Sequence, residues 1–92
     1  MATILKTNGT QQKVTPKNGT DFQLDEMQEI VGGYIEIVRV CTGELIICND
    51  NGKLYGLTIN DNATLIAHAY KAIATDDFIV GDVLICNKNQ VK

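Results

Sequence analysis

One arginine, one histidine, three cysteines and two adjacent carboxylate pairs are the residues of this 92-residue chain best equipped for chemistry. No serine occurs, so a serine nucleophile is excluded. A cysteine nucleophile would need His68 beside a thiol. His68 falls on the outer side of its predicted helix, whereas Cys41, Cys48 and Cys86 each end an apolar strand run. The three cysteines show no C-x-x-C spacing, and one histidine is too few for a typical zinc site. Buried, reduced thiols are expected instead, and with them a reducing compartment. Asp25-Glu26 opens a helix and Asp76-Asp77 joins a helix to a strand. Both pairs read as solvated carboxylates with no neighbour to shift their pKa. The Asp50-Asn51-Gly52-Lys53 turn has part of a calcium loop but lacks its spacing and bidentate Glu. Gly32-Gly33 follows a helix rather than opening one, so it is no phosphate or dinucleotide loop. The inventory predicts no catalytic residue, no metal and no cofactor, and hence a protein that is not an enzyme.

What remains is binding. Gly33 and Tyr34 lie at a helix–strand junction, where backbone without a Cβ admits a close ligand. Arg39 stands in a mostly apolar strand, and Lys53 stands on a turn. Asn60, Asn62 and Thr64 lie at a helix start, a place suited to an anion. Three of them also have a plain structural role: Gly33 as part of a glycine helix stop, Arg39 in an ion pair at an edge or subunit interface, Asn60 as a helix cap.

The elements that must position these residues are legible. Asn8-Gly9 lies between residues 3–7 and 11–15, a strong hairpin signal. The hairpin over residues 1–16 is polar and suits a sheet edge or an exposed flap. Residues 20–92 form the core, helix-strand-strand-helix-strand. Leu24, Met27, Ile30 and Val31 make one apolar stripe, which predicts a helix over 24–31. Thr20 and Gln23 have the spacing of a capping box, and Gly32 is the helix stop. Strands follow at 34–41, 44–48 and 82–87, the first two joined by a Thr42-Gly43 turn, with a short extended segment at 53–59. A second helix is expected over 61–73, with Leu65, Ile66, Ala69, Tyr70 and Ile73 facing inward. The sum is an α+β domain with a mostly antiparallel sheet of about five strands and two helices.

Three strands look apolar on both faces, as doubly covered strands do. Two short helices could cover one face. The other would need the hairpin or a second subunit, so a homo-oligomer is expected. At 45% hydrophobic residues the chain has enough apolar material for a core, and at 5% aromatics that core must be aliphatic. A net charge of −3 with no basic run argues against nucleic acid as a partner. No apolar run is long enough to span a membrane, and the first six residues are too few for a signal peptide.

Three segments carry a family resemblance. They are Leu24 through Glu36; Asn49-Asp50-Asn51-Gly52-Lys53-Leu54-Tyr55-Gly56-Leu57 with Asn60-Asp61-Asn62-Ala63-Thr64; and Asp77-Phe78-Ile79-Val80-Gly81-Asp82-Val83-Leu84-Ile85. In this order they resemble a family of small phage and mobile-element proteins catalogued as domain of unknown function 3846. That family usually has Glu where Asp50 and Asn51 stand, so this turn is less acidic. The resemblance implies a phage or mobile-element protein in the cytoplasm of a host bacterium, and it transfers no catalytic residue.

Two functions fit. One is a noncatalytic binder that sequesters a nucleotide-like host immune signal, by analogy of context with small oligomeric phage proteins. The other is an inhibitor of a host protein, presenting the hairpin or a sheet edge.

Overall fold

Ile46, Ile47, Val83, Leu84 and Cys86 are the heart of the core, all of them fully buried on two adjacent strands. The computed structural model describes residues 2–41 and 43–91. The described elements are β1 (Ala2–Leu5), β2 (Gln11–Val14), α1 (Leu24–Val31), β3 (Ile35–Cys41), β4 (Glu44–Asn49), α2 (Asp61–Ala69) and β5 (Val83–Asn87). A short 3-10 turn, Lys88–Gln90, follows β5. The five strands form one antiparallel sheet in the order β2-β1-β5-β4-β3, so the chain is an α+β domain as the periodicity predicts.

β4 and β5 are apolar on both faces because both faces are covered. Side chains alternate across a strand. Leu45, Ile47, Leu84 and Cys86 therefore share one face and pack with Phe22 and with Met27 and Val31 of α1. Ile46, Cys48 and Val83 share the other, packing with Leu5, Val40, Ile79 and with Ala63 and Ala67 of α2. The two helices thus lie on opposite faces. This corrects the expectation that both cover one side, and it removes the open apolar face that called for a second subunit. β3 is covered in part on each face: Ile35 packs on the α1 side and Val38 and Val40 on the α2 side, but it is an edge strand, and Ile37 on it is 43% exposed.

The hairpin closes at Asn8-Gly9 as expected, with β1 inside the sheet and polar β2 as its other edge. α1 starts one turn later than the Thr20–Gln23 spacing suggests. Gln23 is the N-cap, and its N–H donates to Glu26 Oε1 at 3.3 Å. Thr20 instead belongs to a turn built on Asn18 Oδ1, which accepts from the N–H groups of Thr20 and Asp21. Glu26 is consequently buried rather than solvated. Gly32 ends the helix in the left-handed region at φ 81°, and its N–H and that of Gly33 both donate to Gln28 O. Thr42, of the expected Thr42-Gly43 turn, lies outside the described residues.

Two further expectations give way to geometry. Residues 50–56 coil into successive turns instead of extending: Tyr55 N–H donates to Asn51 O and Leu57 N–H to Gly52 O. Only Ile59 reaches a strand-like bridge, to Val80. α2 stops at Ala69, not Ile73, because Lys71 turns left-handed at φ 54°. Its buried stripe is Ala63 and Ala67, with Leu65, Ala69 and Tyr70 exposed. Small side chains let the helix settle closely on the sheet, and the larger ones then point away. His68 is half-buried, with Nε2 2.8 Å from Asp77 O, rather than on the open side.

Candidate functional site

Asn49, at the end of β4, organises the region where concave surface gathers. Its side chain is buried; Nδ2 donates to Val31 O at 3.0 Å and Oδ1 accepts from Asn51 N–H at 2.9 Å. One carboxamide thereby joins the end of α1, the end of β4 and the first turn after it. Gly33 permits this, because a Cβ there would come 3.0 Å from Asn49 Nδ2. Asp50 N–H donates to Tyr34 O at 2.8 Å, so the turn is also fastened to the entry of β3.

Two clefts open on either side of this turn and share Asn51 as a common wall. The first is about 430 Å³, lined by Gln28, Gly32, Gly33, Tyr34, Asn51 and Tyr55. Tyr34 is 70% exposed and Tyr55 66%. Two exposed aromatic rings, two carboxamides and a glycine floor offer stacking surface together with paired donors and acceptors.

The second cleft is about 370 Å³ and lies on the α2 side of the sheet, where Glu36 and Val38 of β3 face. Lys53 dominates it. Its ammonium pairs with the Asp77 carboxylate and lies 4.7 Å from the Phe78 ring centroid. The Lys53 bond, and then the Phe78 N–H, hold the Asp77 carboxyl below its ordinary value. So Asp77 is not the unperturbed loop carboxylate that its sequence position suggests. Glu36 and Asp50 also line this cleft, giving three carboxylates around one ammonium. Such a charge balance disfavours a polyanion. At the cleft floor, burial and then the Glu36 charge push the Cys48 thiol up to about 12. It is no nucleophile at neutral pH.

Gly33, Tyr34 and Lys53, expected as binding residues, meet around the Asn49–Tyr55 turn. The others do not join them. Arg39 pairs with Leu45 on the α1 face, opposite the Lys53 cleft. Asn62 lines a small cleft near the hairpin turn with Lys6 and Asn8. Asn60 is fully buried and saturated: Nδ2 donates to Leu5 O and Gly81 O at 2.9 Å, and Oδ1 accepts from Ala63 N–H. Thr64 Oγ1 accepts from Ile79 N–H at 2.9 Å. These two residues fix α2 to the sheet.

The family model described as domain of unknown function (DUF3846) matches residues 1–91. The chain belongs to this family. In this DUF3846 chain two clefts adjoin the Asn49–Tyr55 turn. No curated protein and no solved structure matches the chain.

Gln28, Glu36, Asn51, Tyr55 and Phe78 are among the lining residues that sequence reading passed over. Asn49-Asp50-Asn51-Gly52 after a wholly apolar strand was the available signal, since a turn there must carry its neighbours to one end of the sheet. Among the described residues, no group of His, Cys, Asp and Glu is placed to hold a metal ion, and no helix is long and apolar enough to cross a membrane.

Proposed function

We propose that this DUF3846 protein is a noncatalytic small-ligand binder whose ligand is nucleotide-like. The observation that carries this reading is the cleft with Tyr34 and Tyr55 on its walls and Gly32-Gly33 at its base, adjoining Lys53 across Asn51. A heterocycle suits aromatic faces flanked by the Gln28 and Asn51 carboxamides. Base–aromatic stacking contributes roughly 1–3 kcal/mol per base. Lys53 supplies one positive charge to the neighbouring ribose–phosphate part. Glu36, Asp50 and Asp77 oppose further negative charge, so the ligand carries a low net charge rather than a polyphosphate.

The biological reading follows from the resemblance to phage and mobile-element proteins. A phage protein that traps such a ligand in the host cytoplasm would deprive host defence of a nucleotide immune signal. Native mass spectrometry of protein purified from phage-infected cells tests this. A retained adduct that is released on denaturation and absorbs as a heterocycle supports it; repeated recovery of bare protein from cells with active nucleotide signalling contradicts it.

The alternative, a protein inhibitor, draws on one observation: among the described residues nothing pairs with the outer edge of β2, and its Gln11, Gln12 and Lys13 are exposed. A host protein recovered through residues 3–15, with no ligand bound, would favour it.

A further inference from the structure

The two edges of the sheet are treated differently. β2 is short, presents Gln11, Gln12 and Lys13, and is followed by Pro16. These features discourage another strand from pairing. β3 has fewer of them over Ile35 to Arg39: no proline, no lysine and no bulge, with its one register shift placed between Arg39 and Cys41 and its charges confined to Glu36 and Arg39. It is also the longest strand, at seven residues. Among the described residues nothing pairs with its outer side.

Which backbone groups point outward follows from the ladder. Asp50 N–H bonds Tyr34 O, so Tyr34 and, by alternation, Glu36 and Val38 direct their backbone groups inward to β4. Ile35, Ile37 and Arg39 direct theirs outward. We infer that this edge pairs antiparallel with the same edge of a second copy, about a two-fold axis through Ile37, making one continuous sheet across the dimer.

The register is self-consistent. Ile37 opposes its own copy, and Ile35 opposes Arg39, all on the α1 face. On the other face Glu36 opposes Val38. No like charges meet directly. Three residue pairs then exchange about six backbone hydrogen bonds, and the half-exposed Ile37 side chains cover each other. Tyr34 comes opposite Val40 of the second copy, so the dimer seam runs beside the tyrosine cleft. The inference stands without the ligand reading, since it rests on the edge alone.

Light scattering across a concentration series tests it. The expected mass is twice the 10.1 kDa of the chain, falling to one chain for Ile37→Lys, which sets two ammonium groups face to face. Circular dichroism verifies that the variant keeps its fold. If it does not, the cross-link decides: Ile37→Cys should oxidise to a disulfide-linked dimer under conditions that leave wild type and Gln12→Cys unlinked. A wild-type monomer at the highest concentration overturns the inference. So does a dimer that a folded Ile37→Lys leaves intact, or one that cross-links through Gln12→Cys instead.

Discussion

The Asn60 side chain donates to Leu5 O at 2.9 Å, tying the start of α2 to the end of β1 across 55 residues of sequence. A second bond from the same nitrogen reaches Gly81 O. Asn60 is therefore a cap and a clamp together, and only a carboxamide satisfies both roles. Aspartate is normally as good an N-cap as asparagine. Here Asn60→Asp would keep the cap but turn a carboxylate toward two carbonyl oxygens. It should cost about 3 kcal/mol, at least as much as Asn60→Ala, since buried carbonyls are left unpaired beside a buried charge. Urea denaturation measures this. An Asp variant close to wild type would reduce Asn60 to a plain cap.

Gly33 and Asn49 should behave as a coupled pair. Asn49 is held at both ends of its carboxamide, so it cannot yield to a Cβ only 3.0 Å away. Gly33→Ala is expected to destabilise by roughly 1–3 kcal/mol, the range for overpacking. In an Asn49→Ala background most of that cost should vanish. A double-mutant cycle reads the coupling, and strict additivity would mean that Gly33 is needed for a different reason.

The thiols should separate into two classes. Cys48 and Cys86 are buried, with burial raising them to about 12 and about 11. Cys41 is half-exposed, its thiol donating to Glu44 Oε1 at 3.4 Å, and is raised by partial burial and then by that bond. Its expected burial is thus only partial. A thiol reagent should label Cys41 first and the other two only on unfolding. Because the folded values lie above the unfolded ones, the folded state holds more protons at alkaline pH. Stability is therefore complete below the ordinary thiol value and declines above about pH 8.5, by up to about 1.4 kcal/mol per pH unit for each buried thiol. Melting across pH 8–11 checks the sign; a flat profile would show that the thiols ionise in the fold.

The Lys53–Asp77 pair should matter little for stability. Both side chains are well exposed, at 50% and 37%, and such pairs contribute at most about 1 kcal/mol. Asp77 has a lowered folded pKa, so its contribution is present above the usual carboxylate range and lost as pH falls through the folded value. Lys53→Gln should leave the melting temperature nearly unchanged near neutrality and remove part of the acid sensitivity. A large loss at neutral pH would make the pair a structural strut instead.

Much of the fold was legible because it rests on local rules. The 24–31 stripe, the Gly32 stop, the Asn8-Gly9 turn and the doubly apolar 44–48 and 83–86 runs each carry their own signal. What was not legible depends on which face an element lands on. The alanines of α2 fit the sheet more closely than Leu65 or Tyr70 could, so the buried stripe moved. β3 reads as apolar as β4, yet it lies at the edge. The candidate site was half visible: Gly33, Tyr34 and Lys53 were found from residue type. Tyr55 and Gln28 were not, because they reach the cleft only through the coiled turn and the end of α1. Arg39 looked suited to a ligand until the register put it across the sheet from Lys53.

Calorimetric titration with a panel of nucleosides, nucleoside monophosphates, cyclic nucleotides and ADP-ribose derivatives tests the central claim most directly. At least one low-charge member should bind the wild type, polyphosphates more weakly. Tyr34→Ala and Tyr55→Ala should each lower affinity by roughly five- to 150-fold, corresponding to about 1–3 kcal/mol of stacking. Arg39→Ala should leave it unchanged. Binding that survives both tyrosine substitutions, or falls with Arg39→Ala alone, would contradict a ligand seated between the Gly32-Gly33 junction and the Asn49–Tyr55 turn.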